Sequence, residues 1–492
     1  MITMIGGEMP EYAEQHPPAD GPLYRHLLDR LPTGIRVLVA GPHHTGLIRA
    51  LADRREVTCL LRSRPDAEAL PDVDVLCGTL SKLTETDRYD VVVALDGVGR
   101  LVSPEDTPLD WAESVRVLKR ALRPGGTLLL AVENKLGVHR LVDPGTATAD
   151  PAADAWTPLG EFSGEPGRPD RLTTVLGAEG LPVTSLMSGW PSLRRPSLLA
   201  TPEALRYGPL DALSAFAAHA TAGAYAEIPV LSDPRRLAAA SVRRGIGAEL
   251  APVWLVTAQR AARPSPALPL PPVLFASPDA SSPVVTELLS TPDGWLRRPV
   301  NGPAEPLPAG HLLEERLLTA ALGHDLPRLR RLLTGWMTEL PMAAAGNVLV
   351  DGERFTILDP GVPELPDALA RFAHTLLDGG YHHPWPGVTD VVRLIAVLAG
   401  AAGVSAPPDI SEMSVSIGRR EQEAQLTELR KRLADAEERT RFFEVELEKR
   451  EAELGRAKTQ IAAFSGNLGY RAAKAGLVLA RAARNRIRKG RT

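Results

Sequence analysis

Between Ile35 and Asn134, apolar runs alternate with segments of helical spacing. The runs are "IRVLVA" (35–40), "EVTCLL" (56–61), "DVDVLC" (72–77), "YDVVVALD" (89–96) and "GTLLLAVEN" (126–134). They are continuously apolar rather than alternating, as parallel strands covered on both faces must be. The segment Trp111–Leu122 places Val115, Leu118 and Leu122 at helical spacing, and "RPGG" at 123–126 stops it. Five strands with helical crossovers predict a doubly wound, Rossmann-like α/β sheet. Two further runs, "LPVTSLMSGWP" (181–191) and "APVWLVTAQRA" (251–261), flank an Ala-rich helical insert at about 202–250. Residues 1–262 are therefore read as the first domain.

The pattern then changes twice. "RPSPALPLPP" (263–272) reads as a stiff, proline-rich linker. It leads to a small α+β region at 273–403, with helical spacing at 311–337 and 365–378. Between those helices, "GNVLVDGERFTILDPG" (346–361) sets two strand runs around an Asp-Gly turn, a hairpin signal. Over 420–465, heptads place Leu426, Leu433, Thr440, Leu447, Leu454 and Ile461 at one seam position. Leu429, Ala436, Phe443, Arg450, Ala457 and Phe464 fall at the other. Charged flanks complete a coiled-coil pattern, so a homodimer through 426–464 is expected. The tail, 466–492, reads as a basic amphipathic helix. Such a helix suits an anionic membrane surface or a nucleic acid, the membrane surface being the partner expected for 468–492, and a solvated tail is the other reading.

Composition narrows the classes. The formal net charge of −4 over 492 residues argues against a protein that is basic as a whole, and no nucleic-acid partner is expected. Cys59 and Cys77 each sit inside an apolar run and read as buried thiols, with no metal site expected. Glu8, Glu11 and Glu14 come early and no long apolar run follows, so a signal peptide is not expected. No run of apolar residues is long enough for a membrane span, and a cytoplasmic protein is expected, peripheral to the membrane at most.

Three stretches carry chemistry in the first domain: "IRVLVAGPHHTGLIRAL" (35–51), "YDVVVALDGVGRL" (89–101) and "LKRALRPGGTLLLAVENKLG" (118–137). In this order they resemble a class I S-adenosylmethionine-dependent methyltransferase, and the runs at 181 and 251 fit the reversed hairpin that closes that fold. "AVENKLGVHRL" is similar to a bacterial group associated with cell-surface glycans and natural products. The resemblance covers about 35–262. It implies S-adenosylmethionine as cofactor, methyl transfer to a sugar or glycan-type acceptor, and a cofactor loop of the form acid-x-Gly-x-Gly-x-Gly. Laid on that loop, the chain offers Val39, Gly41, His43 and Thr45, with Gly46 one residue late.

The ribose acid maps to Leu61, followed by Arg62 and Arg64, and the adenine-side acid to Gly78; Asp96 closes the fourth run as a further cofactor-side candidate. Losing one charge-assisted bidentate contact costs on the order of 1.5–3 kcal/mol, so weak or altered cofactor binding is expected. Glu133 and Asn134 stand at the end of the fifth run, where substrate would be met, and are the catalytic candidates; capping of the strand end is their other role. A dinucleotide reading places G-x-G-x-x-G on Gly41, His43 and Gly46, with Arg62 or Arg64 left for a 2′-phosphate, as in an NADP-type reductase. The alternative to an enzyme is a catalytically silent scaffold that dimerises through its coil and binds a partner glycosyltransferase.

The hairpin at 346–361 is similar to the catalytic segment of aminoglycoside-phosphotransferase-like kinases, which implies Asn347 and Asp359 as metal ligands. The positions of that family's catalytic Asp and upstream His hold Met342 and Leu340, and no lysine occurs between Lys135 and Lys431. Phosphoryl transfer is therefore not expected.

Overall fold

The computed structural model describes residues 1–14, 16–103, 106, 108–142, 164–225, 230, 232–260, 270–278, 283–405, 419–466 and 468–489. Most of the expected linker, 263–269, lies outside them. The chain divides into two compact units, Met1–Arg419 and Arg420–Thr492.

Sixteen strands occur among the described residues of the first unit. They are β1 (Ile2–Gly6), β2 (Arg36–Ala40), β3 (Glu56–Leu61), β4 (Asp74–Gly78), β5 (Tyr89–Ala94), β6 (Leu122–Glu133), β7 (Val183–Trp190) and β8 (Leu198–Ala200), then β9 (Val253–Gln259), β10 (Val273–Ala276), β11 (Val285–Thr291), β12 (Gly294–Pro299), β13 (Glu305–Pro306), β14 (His311–Leu312), β15 (Val348–Asp351) and β16 (Arg354–Ile357). The first thirteen form one sheet in the order β1-β4-β3-β2-β5-β6-β9-β7-β8-β10-β11-β12-β13. From β1 to β6 every pair is parallel; β9 runs antiparallel to both β6 and β7, which makes the expected reversed hairpin.

Strands β2 to β5 are largely apolar because both faces are covered. Val37, Val39 and Cys59 join helices Pro22–Asp29 and Thr45–Ala52 through Leu23, Leu27, Leu47 and Ile48. Leu38, Ala40 and Leu60 face the other way, toward Trp111, Val115 and Leu118 of helix Trp111–Ala121. That helix starts at a capping box, Asp110 and Glu113 exchanging side-chain and backbone bonds.

The boundary expected at 263–272 does not separate two sheets, since β10–β13 continue the first one through β8. One hydrophobic cluster joins Trp190 and Leu198 of the first half, Phe216 of the Ala-rich insert, and Phe275, Leu288, Leu312, Leu349 and Leu358 of the second half. The insert folds as helices Pro202–Tyr207, Leu210–Ala222, Pro234–Arg243 and Gly247–Leu250. Helical spacing at 311–337 resolves into two helices, Leu313–Leu322 and Leu326–Glu339, because Gly323 ends the first and Asp325 caps the second by accepting from Arg328 N. The hairpin forms as expected, β15 and β16 turning at Gly352 with φ 62°. In the second unit, residues 419–466 and 468–489 are helical.

Candidate functional site

Strand order reverses beside β2, which has β3 and β4 on one side and β5 and β6 on the other. The crevice at the carboxyl ends of β2 and β5 is where such sheets bind ligands. The first loop reaches it as the sequence implies. Gly41 takes φ 90°, a conformation that favours glycine, and a Cβ there would meet Leu101 Cδ2 at 3.3 Å. Thr45 and Gly46 open helix Thr45–Ala52, capped by His44 Nδ1 accepting from Gly46 N at 3.1 Å.

His43 does not open toward a ligand. It is buried, its Nδ1 lies 3.0 Å from Gly41 O, and its Nε2 accepts from Leu95 N at 3.2 Å. That pair of bonds fixes the neutral tautomer with the proton on Nδ1. Burial, only partly opposed by the Gly41 carbonyl and Asp96, lowers its pKa. The imidazole thus ties the end of β2 to the end of β5.

The chain's own N-terminal segment lies over the crevice. β1 pairs with β4, then Met9 N donates to Arg62 O and Arg64 N to Met9 O. Ser63 Oγ donates to Tyr12 O, and farther on Ala19 bridges His43. Between these anchors the Glu14 carboxylate, with a side chain 6% exposed, accepts from Arg62 Nε at 2.7 Å and lies 3.6 Å from Arg100 Nη1. Arg62 also donates to Val102 O, and its guanidinium carbon sits 5.7 Å from the Tyr12 ring centroid. Arg100 grips Asp96 with two bonds of 2.6 Å. Burial disfavours the Arg100 charge, but the carboxylates of Asp96 and Glu14 outweigh it and raise its pKa.

The two mapped acids are replaced in ways the structure explains. Leu61 is buried in the core of one sheet face. At Gly78, with φ 153°, a Cβ would lie 2.5 Å from both Gly6 O and Ile5 Cγ1, so a larger side chain would collide with the end of β1. Neither position offers a polar side-chain atom to a ribose or an adenine. The side chains at this crevice do not fit S-adenosylmethionine in the manner the resemblance implies.

Glu133, at the end of β6, accepts from His139 Nε2 at 2.9 Å, from Arg140 and from Lys135 Nζ at 3.1 Å. Burial opposes its charge, but the His139 hydrogen bond and the charges of Lys135 and Arg140 hold the carboxyl well below the usual range. A carboxylate so held is a poor proton acceptor. Asn134 is fully engaged: Nδ2 donates to Glu249 O at 2.6 Å and Ala251 O at 2.8 Å, and Oδ1 accepts from Leu136 N. Its bonds tie β6 to the segment entering β9. Glu133 and Asn134 are adjacent to the crevice, and their polar atoms are engaged by these neighbours.

In the second half, Asn347 and Asp359 lie together. Asn347 Nδ2 donates to Asp359 O and Asp359 N to Asn347 Oδ1, both at 2.8 Å. Asp359 Oδ1 accepts from Gly361 N, while Oδ2 faces His219 Nε2 of helix Leu210–Ala222 at 3.5 Å. Burial raises the Asp359 pKa, but His219 and Ser277 more than offset it and keep the carboxyl below its ordinary range. Beside this pair is a cavity of about 90 Å³ whose polar wall includes His219, Arg235 and Glu314. Arg235 bridges Asp233 and Glu314, with contacts of 3.0 and 3.1 Å. A histidine of the insert therefore faces the carboxylate that the kinase resemblance assigns to a metal. Among the described residues no cluster of three or more His, Cys, Asp or Glu could hold a metal ion.

Glu14, Arg100 and His219 were not legible as site residues. Glu14 reaches Arg62 across 48 positions, and no local pattern marks such a pair.

No protein-family model and no curated protein matches the chain. Among solved structures it is similar to the cyclase SpnF, at 17% identity over 49% of this chain and 80% of that one, TM-score 0.28. It is similar also to the 1,6-didemethyltoxoflavin-N1-methyltransferase of Burkholderia thailandensis (14%, 48% and 76%, TM-score 0.26). A third is an S-adenosylmethionine-dependent methyltransferase of Mesorhizobium loti (14%, 48% and 97%, TM-score 0.27). Scores this low leave the fold to be judged on strand order and register: a mixed α/β molecule with a Rossmann-like, mostly parallel core from β1 to β6, closed by the reversed strand β9.

Proposed function

We propose that this chain is a catalytically silent protein on a methyltransferase-like fold, a scaffold rather than a methyl-transfer enzyme. The observation that carries the reading is the Glu14 carboxylate seated on Arg62 and Arg100 over the crevice at the ends of β2, β3 and β5. A ligand entering there would have to break a largely desolvated ion pair, which typically costs several kcal/mol. It would gain no side-chain grip from Leu61 or Gly78 in return. The facing of Asp359 by His219 supports the same reading for the second half.

As a scaffold the protein presents two things: a compact first unit, and a helix over 419–466 whose heptad seam pairs two copies. Its partner is an enzyme of sugar transfer, in keeping with the glycan-associated group that "AVENKLGVHRL" resembles. A second reading, methyl transfer to a sugar-type acceptor, is favoured by the positive φ of Gly41 and the capped helix that follows. It requires residues 9–20 to leave the crevice.

Calorimetric titration of the full chain with S-adenosylmethionine separates the two. The scaffold reading expects a dissociation constant in the high-micromolar range or weaker. A sub-micromolar constant would sink it and restore the enzyme.

A further inference from the structure

Helix Leu468–Lys489 carries basic side chains and no acidic one. At 3.6 residues per turn, Lys474 and Arg481 stand seven residues apart along one side, with Arg471 and Arg484 flanking them. Ala472, Leu479 and Ala483 line the opposite side, which Arg486 interrupts only near its end. Leu479, on that side, is 69% exposed, and Leu477 and Val478, which stand among the basic residues, are 57% and 61% exposed. A helix of this make-up has no reason to leave its apolar side in water.

Charge complementarity calls for an anionic partner, and the apolar side decides which kind. Against a nucleic-acid backbone, the basic side would pair with phosphates while Leu479 stayed in water. At a lipid surface both sides are satisfied: the apolar side sinks to the boundary of the acyl chains and the basic side meets the headgroups. No helix among the described residues is long and apolar enough to cross a membrane, so the helix would lie along the surface. We infer that helix Leu468–Lys489 docks this protein on the surface of an anionic lipid bilayer, lying in the plane of the interface.

The test is co-sedimentation of the full-length chain with phosphatidylcholine vesicles, with and without about one-third phosphatidylglycerol. Pelleting should be at least about tenfold greater on the anionic vesicles and fall about tenfold between ~0.05 and ~0.5 M salt. Leu479→Glu should lower it about tenfold, because it places a charge in the buried side. The combined variant Arg471→Gln, Lys474→Gln, Arg481→Gln should abolish the preference for anionic lipid. Circular dichroism of both variants should match the parent, since every changed side chain is exposed. Equal pelleting on both vesicle types overturns the inference. So does Leu479→Glu with undiminished binding, or retention of duplex DNA with no retention of vesicles.

Discussion

Glu14 is held by two arginines, and its removal leaves a charge behind rather than a gap. Glu14→Gln keeps the size but strands Arg62, whose side chain is 8% exposed, against a neutral amide. Breaking one side of a buried pair costs about 3 kcal/mol, readable as a lower urea midpoint at unchanged slope. The substitution should not create affinity for S-adenosylmethionine, because Leu61 and Gly78 still offer no side-chain grip; titration of the variant checks this. His43 gives a pH signature. Its pKa is lowered in the folded state, so the unfolded chain takes up a proton first as pH falls. The stabilising contribution is therefore full above about 6.5 and is lost as pH drops below it. His16 and His26 shift in the same direction. His43→Gln should thus reduce the fall in stability between pH 7 and 5 without abolishing it, as measured by urea midpoints across that range.

Among elements, β1 and the hairpin β15–β16 are where a single change should tell most. Gly78→Ala pushes a methyl into Gly6 O and Ile5 Cγ1, so β1 must move away from β4. Hydrogen exchange should then quicken at Thr3 and Met4 while β2, β3 and β5 keep their protection. Asn347→Ala removes the side chain that bonds both backbone groups of Asp359, and about 1–3 kcal/mol of stability with it. ATP hydrolysis should be absent before and after; robust hydrolysis lost in Asp359→Ala would contradict this. The strands β2 to β6 could be read from the sequence because burial on both faces leaves unbroken apolar runs. β1 could not, since "ITMIG" is short and its residues are exposed or half-buried at a sheet edge. The closed crevice was illegible for a related reason. Leu61 and Gly78 announce a missing grip, but what replaces it comes from the distant residues Ile5, Gly6 and Glu14. His219 was hidden in an Ala-rich stretch whose pattern shows a helix and not what that helix faces.

For the whole molecule, the seam residues Leu426, Leu433, Leu447, Leu454 and Ile461 are each more than half exposed in the single chain. Pairing would remove them from water, so light scattering at micromolar concentration should give a dimer, and truncation after Pro408 a monomer. A full-length monomer would count against the scaffold's self-association. Global stability should also fall in acid. Glu133, Asp233, Glu287 and Asp359 all have carboxyls below their ordinary range, in each case because basic or hydrogen-bonding neighbours outweigh burial. Carboxylates of this kind stabilise fully above a pH of about 4 and lose that contribution as pH falls through the folded-state values. Helix Leu210–Ala222 has a consequence of another sort. Every residue from Ala212 to Thr221 is buried, and the helix packs on the second half through Phe216 on Phe275 and His219 on Asp359, while Phe216 shares a cluster with Trp190 and Leu198 of the first. A shared wall of this kind ends modularity. Neither half can be cut out at residues 263–272 and expressed alone without exposing to water the apolar face it shares with the other. A partner that meets the first unit meets both halves of it together, within the single compact body Met1–Arg419.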